Sequence, residues 1–285
     1  MLTRTDRIQV VVADRATATT GYQRLLDAVI CREDGVRALA ARRTVLQLGS
    51  SEVELLEPDG TGTVADFLAR TGGGLFAAGF ATPDVAQAHA RLAADGIAAT
   101  REGDQLLLTP ETLGLPGLRA VISTASERPA AGVLRHLYEA TLLVGDAAAV
   151  VQRVAQIFAL DASHFVPIRS AEFGYDGTLT LFHPDRLDRM EIITPNEPAK
   201  TMGRFFGKRG AGWYMCFAEA DDLLPIRARL LEHAPTQWTG PRDTPTVDSL
   251  FIHPPALGGV MIGVSRTTFA WMWSGQPERV HTARS

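Results

Sequence analysis

Two glutamates stand where proton chemistry could be done. Glu139 lies in the run LYEATLLV and Glu191 in MEII, each with apolar neighbours on both sides. Strand alternation puts Leu137, Glu139, Thr141 and Leu143 on one face. Two carboxylates held close cannot both ionise cheaply. One pKa then rises, and that group becomes an acid or base usable near neutral pH. The alternative is that either glutamate pairs with an arginine, such as Arg189 or Arg169, and serves structure alone. His253, in FIHPP, is either a third catalytic group or a residue that stabilises a proline turn. His183, in LFHPD, ends another strand-like run and could line the same site. With His136 and His164 it shows neither HxH nor HExxH spacing, so a histidine zinc site has weak support. Trp213, Met215 and Phe217 alternate along one run, either as core or as an apolar wall for an aromatic or acyl substrate. The GTG, GGG and GAG triplets fit no phosphate-loop pattern and read as turn glycines.

The elements that must position these residues repeat. IQVVVAD at 8–14 and LYEATLLVGD at 137–146 each close on an aspartate and lead into a helical stretch. Those stretches are expected near 15–29 and 147–160. The segment from Val53, VELLEPDGTGTVADFLARTGGGLFAAGFATPDV, matches the one from Met190, MEIITPNEPAKTMGRFFGKRGAGWYMCFAEADDL. The chain is therefore expected to be two related halves joined at TASERPAAGVL, residues 124–134. Each half divides again into two βαβββ units. In the first, strands are expected at 8–13, 36–41, 44–49 and 52–57, then at 75–82, 97–100, 105–109 and 117–123, with a helix at 84–95. In the second, the restart is a strand at 213–219 and a helix at 221–233, closed by strands at 247–253 and 259–265. The ending QPERVHTARS is polar and reads as frayed.

Composition bounds the class. The chain has 285 residues, 46% of them hydrophobic and 21% charged, and a net charge of −4. It is long enough to bury a full core without metal or disulfides. The charge balance argues against a protein that holds nucleic acid through an overall basic surface. Cys31 and Cys216 cannot make a disulfide framework or a four-cysteine zinc site. No secretory leader and no 18-residue apolar run are visible, which points to a cytoplasmic protein.

Four βαβββ modules in tandem pairs resemble the vicinal oxygen chelate superfamily, which includes glyoxalase I, bleomycin-resistance proteins and extradiol dioxygenases. VELLEP followed by TVADFLARTGGGL, and FIHPPALGGVMIGV at 251–264, are locally most similar to methylmalonyl-CoA epimerase. The resemblance implies an α+β fold of two tandem domains, each an open cup-shaped mixed sheet with helices outside. The expected bounds are 1–124, 134–270 and a tail 271–285. It also implies a divalent metal in a cup, held by His, Gln or Glu. Carried over position by position, those ligands fall on Arg7, Glu54, Ala77 and Val121 in the first half. In the second they fall on Glu139, Glu191, Met215 and Gly263. The first set is no metal site, and Arg7 facing Glu54 suggests an ion pair in the ion's place. The second lacks the iron-binding triad of extradiol enzymes, and Gly263 stands where the epimerase pattern has glutamate.

The expected chemistry is proton transfer next to a carbonyl or carboxyl group, as an isomerase, epimerase or lyase, in the second half. The substrate class is a small organic acid, an acyl thioester or an aromatic compound. Glu139, Glu191 and His253 are the expected catalytic groups, and Trp213, Met215, Phe217 and His183 the substrate wall. The cofactor is either one divalent metal on Glu139 and Glu191 or none. The alternatives are a non-catalytic small-molecule binder and a ring-cleaving dioxygenase with a non-standard site. The partner is a small molecule, with neither nucleic acid nor membrane. Trp271 and Trp273, in FAWMW, cover a cup edge or make a homodimer contact.

Overall fold

The computed structural model describes residues 1–281. The first module is β1 (Arg4–Val11), α1 (Arg15–Leu26), β2 (Val29–Val36), β3 (Ala41–Leu48) and β4 (Ser51–Pro58), followed by α2 (Thr63–Thr71). The second is β5 (Gly74–Thr82), α3 (Val85–Ala94), β6 (Thr100–Glu102), β7 (Gln105–Leu108), the short α4 (Pro110–Leu113) and β8 (Ala120–Thr124). The third is β9 (His136–Leu143), α5 (Ala147–Phe158), β10 (Phe165–Ser170), β11 (Tyr175–Leu181) and β12 (Arg189–Pro195), followed by α6 (Thr201–Arg209). The fourth is β13 (Gly212–Ala220), α7 (Leu224–His233), β14 (Trp238–Thr239), β15 (Ser249–Ile252) and β16 (Met261–Arg266). The strands form two eight-stranded mixed sheets, ordered β2-β3-β4-β1-β5-β8-β7-β6 and β10-β11-β12-β9-β13-β16-β15-β14. Within each module the first and last strands run parallel, β1 with β4, β5 with β8, β9 with β12 and β13 with β16.

The repeated aspartates are helix caps. Asp14, Asp84 and Asp146 each stand just before a helix and accept backbone N–H bonds of its first turn. Asp222 accepts from Leu224 N at the start of α7. A side-chain acceptor here satisfies amides that have no partner inside the helix.

Two compact units hold the packing. One comprises Met1–Thr5, Ala77–Ser126 and Glu139–Tyr214; the other comprises Asp6–Phe76, Glu127–Tyr138 and the chain from Met215. In the first, α5 buries Val150, Val154, Ile157 and Phe158 and packs on β11 and β12. In the second, α1 buries Ala18, Tyr22, Leu25 and Leu26 and packs along β3, β4 and α7.

Several expected bounds shift. Helix α1 stops at Leu26, not 29, because Asp27 turns left-handed at φ 53°. The next strand is Val29–Val36 rather than 36–41. It is an edge strand, exposed along seven of its eight residues. Such a strand needs no apolar alternation, so its sequence carries little strand signal. Strands β6 and β8 start three residues later than expected. The tail is not frayed through residue 281. Short helical turns form at Phe269–Trp273 and Pro277–Arg279. The Arg279 guanidinium lies 3.9 Å from the centre of the Trp271 ring, and Arg266 donates to the His281 carbonyl at 2.8 Å. The last four residues of that expectation, 282–285, lie outside the described residues. Among the described residues no helix is long and apolar enough to cross a membrane.

Candidate active site

Strands β9 and β12 pair in parallel with Arg189 beside Glu139 and Glu191 beside Thr141. Alternation therefore puts all four side chains on one sheet face. Arg189 Nε lies 2.5 Å from Glu139 Oε2, and both side chains are fully buried. Thr141 donates its hydroxyl to Glu191 Oε2 at 2.5 Å. Glu191 is 7% exposed, against 1% for Glu139, so it is the more open of the two carboxyls. Burial, and then the charge of Glu139, push the Glu191 carboxyl up to about 8, against the pull of Thr141 and Arg189. Tyr175 lies on the same face from β11. Its hydroxyl is raised by burial first and then by the two glutamates. The result is a carboxyl that titrates near neutral pH beside a closed ion pair, which is the protonation range a general base or acid needs.

The first half carries the same positions with opposite charges. Arg7 pairs in register with Glu52, and Gln9 with Glu54. Arg7 thus corresponds to Glu139, Glu52 to Arg189, and Glu54 to Glu191. Arg7 Nη1 lies 2.7 Å from Glu54 and 2.8 Å from Glu52, and Nη2 lies 2.8 Å from Asp6. Arg43 reaches Glu54 at 3.2 Å and Gln9 donates to it at 2.9 Å. Burial alone would raise Glu54, but Arg7, Arg43 and Gln9 outweigh it and hold the carboxyl down at about 2. One scaffold position therefore holds a glutamate kept charged down to about pH 2 in one half and a glutamate pushed up in the other. What differs is the number of cations given to it.

A divalent ion does not fit the Glu139–Glu191 pair. The Arg189 guanidinium occupies the Glu139 carboxylate, and hard cations need several oxygen donors. Among the described residues no three His, Cys, Asp or Glu side chains converge in a geometry that could hold a metal. Glu139 and Glu191, as they stand here, are therefore not a donor set for the divalent ion that the resemblance implies. Gly263 offers no third ligand by substitution. It faces Phe217 across β13 and β16, and a Cβ there would stand 2.3 Å from the Phe217 ring. Gly263→Glu is expected to overpack the site at a cost of roughly 1–3 kcal/mol, read from the urea midpoint. A variant as stable as the parent would mean that Phe217 swings aside.

The remaining expected residues are placed as follows. Trp213 is buried, tilted against Phe80, and donates its indole N–H to the Arg119 carbonyl at 2.7 Å. Met215 is buried. Phe217 packs against Tyr138, Phe251 and Trp273, so Trp273 covers this aromatic group. His253 is half-buried, with Nε2 2.7 Å from the Thr239 hydroxyl. The His183 side chain is 55% exposed, and its Nδ1 accepts the Asp185 N–H at 3.1 Å. The structure brings Glu139 and Glu191 together within one compact unit. His253 belongs to the other unit, on its own hydrogen bond. Arg169 pairs with Asp176 and not with either glutamate. Sequence reasoning missed Tyr175. Its only signal was alternation with Gly177 and Leu179, which face Ile193 and Glu191 across the hairpin.

No protein-family model and no curated protein matches the sequence. A triple mutant of 4-hydroxymandelate synthase from Streptomyces coelicolor aligns over 98% of this chain and 100% of its own, at 16% identity and TM-score 0.69. Methylmalonyl-CoA epimerase from Streptomyces coelicolor, in complex with 2-nitronate-propionyl-CoA, aligns over 44% of this chain and 100% of its own, at 22% identity and TM-score 0.38. The epimerase from Mycobacterium tuberculosis aligns over 47% and 89%, at 20% identity and TM-score 0.39.

Proposed function

We propose that this chain, which has the vicinal oxygen chelate fold, is an enzyme that moves a proton on the carbon next to a carbonyl or carboxyl group. Isomerisation, epimerisation or a lyase step all begin that way. Glu191 is the base: its carboxylate takes the α-proton, and the electron pair passes to the neighbouring carbonyl oxygen as an enolate. The Tyr175 hydroxyl, on the same sheet face, is the neutral donor for that oxygen. Glu139, fixed by Arg189, keeps Glu191 from ionising too early and so keeps it strongly basic. The observation that carries this reading is the Glu191 carboxyl, buried on one sheet face with Glu139 and bonded to the Thr141 hydroxyl rather than to a cation, a setting that pushes it up. The substrate is a small organic acid, an acyl thioester or an aromatic compound, and His183, in the same compact unit as Glu191, remains a candidate to line its path. The domain bounds 1–124 and 134–270, with a tail to 285, and a cytoplasmic location belong to the same proposal.

The test is proton exchange in deuterium oxide. The protein is incubated with 2-hydroxy acids, 2-oxo acids, branched acyl thioesters and aryl-substituted carbonyl compounds, and the α-proton signal is followed by NMR. Loss of that signal in at least one class, faster toward pH 8, is expected. Binding of a compound without exchange in any class would instead favour the reading as a sequestering protein.

A further inference from the structure

Glu191 and its partners are too deeply covered for a substrate to reach without movement. The cover on their sheet face is visible. Leu143, beside Thr141 on β9, and Ile193, beside Glu191 on β12, form a buried cluster with Met202 of α6. Ile168, Tyr175, Phe205, Phe206 and Tyr214 pack around it, each partly buried. Helix α6 therefore lies against the same face as Glu191, one residue pair further along the strands, with Tyr175 between. We propose that α6 is the movable wall of the Glu191 site, and that its underside, Met202, Phe205 and Phe206, is what the carbon skeleton of the substrate packs against. This rests on Glu191 as the reacting carboxyl.

The internal repeat supplies the comparison. Helix α2 occupies the same place in the first half, 138 residues earlier. Both helices carry the same edge-to-face contact, Phe67 with Phe76 at 5.1 Å and Phe205 with Tyr214 at 4.9 Å. They differ in what holds the helix. Ala65 and Ala69 of α2 become Gly203 and Gly207 in α6. Asp66, favourable in the first turn of α2, becomes Arg204. Each alanine-to-glycine change weakens a helix by a factor of about five. Gly203 is required by packing, since a Cβ there would stand 2.2 Å from the Glu197 carbonyl oxygen. Gly207 is not, because nothing lies within 4 Å of its Cβ position. A glycine that packing does not require, in a helix packed one residue pair along from a buried carboxyl, is suited to opening.

The experiment needs no substrate. An uncharged aryl diazoacetamide esterifies a protonated carboxyl, taking its proton and losing dinitrogen. Its rate of attachment to Glu191, read by peptide mass spectrometry, reports access past α6. Gly207→Ala fills open space and is expected to slow attachment about fivefold. Phe206→Ala is expected to speed it by about tenfold, and Glu191→Gln to remove the label at position 191, which fragmentation tells apart from Glu197 in the same peptide. Amide exchange across α6 is expected to run faster than across α2 in the same molecule and to slow in Gly207→Ala. Attachment rates equal in the parent, Gly207→Ala and Phe206→Ala overturn the proposal. A Glu191 that labels at α6-controlled rates but plays no part in proton exchange would defeat the catalytic reading alone, so the two failures are told apart.

Discussion

Glu191→Gln is expected to lower proton exchange by about two to four orders of magnitude while leaving binding largely intact. Glutamine keeps the shape and accepts the Thr141 hydroxyl, but cannot take a proton. In the parent, the rate is expected to rise with pH and level off above about 8, where Glu191 becomes ionised. The same variant is expected to be more stable than the parent in mild alkali. A carboxyl whose folded pKa lies above its ordinary value stabilises the fold fully only below that ordinary value. That contribution fades as pH rises toward the folded pKa of about 8. Glutamine removes the loss, so at pH 9 the gain is expected to be roughly 2–4 kcal/mol by urea denaturation. Glu139→Gln is expected to be inactive for another reason, since it leaves Arg189 buried without its carboxylate. Unchanged exchange in Glu191→Gln would remove this residue from the mechanism and turn attention to His183 and His253.

Arg7→Ala should cost about 3–5 kcal/mol at pH 7, because it removes the buried cation that Glu54, Glu52 and Asp6 share and leaves them only Arg43 and Arg128. The sign with pH is opposite to that of Glu191. Glu54 is held at about 2, so it adds stability above the ordinary carboxylate value and loses it as pH falls toward 2. The gap between parent and variant should therefore shrink between pH 5 and pH 2. Urea titrations at pH 7 and pH 3 measure it. A cost below about 1 kcal/mol at pH 7, or the same cost at both values, would show that Arg7 behaves as a surface pair does.

Much of the scaffold was legible because it rests on local chemistry. Asp14, Asp84 and Asp146 announce helix starts through their own short side chains, and they recur at the repeat distance. The β-branched runs announce central strands. What stayed hidden depends on register between strands far apart in sequence. Arg169 and Arg189 were equally good partners for Glu139 until the ladder put Arg189 beside it and Arg169 beside Asp176. Tyr175 was silent for the same reason. Strand β2 was misplaced because an exposed edge has no buried face to pattern. The divalent ion that the resemblance implies at Glu139 and Glu191 is read from position alone, and position says nothing about the guanidinium paired with Glu139.

The two halves cannot exchange roles by single steps. One holds arginine opposite glutamate, Arg7 with Glu52, and the other holds glutamate opposite arginine, Glu139 with Arg189. Any one substitution on the way from one arrangement to the other puts two arginines or two glutamates face to face in the interior, a costly intermediate. With two facing glutamates, the third at position 54 or 191 would complete a cluster of carboxylates, and such a cluster is tolerable chiefly with a cation bound in it. Genetic drift therefore meets a barrier between the copies. Each half can gather further changes around its own charge order, and the duplicated scaffold keeps one acid-labile copy and one alkali-labile copy side by side in a single chain.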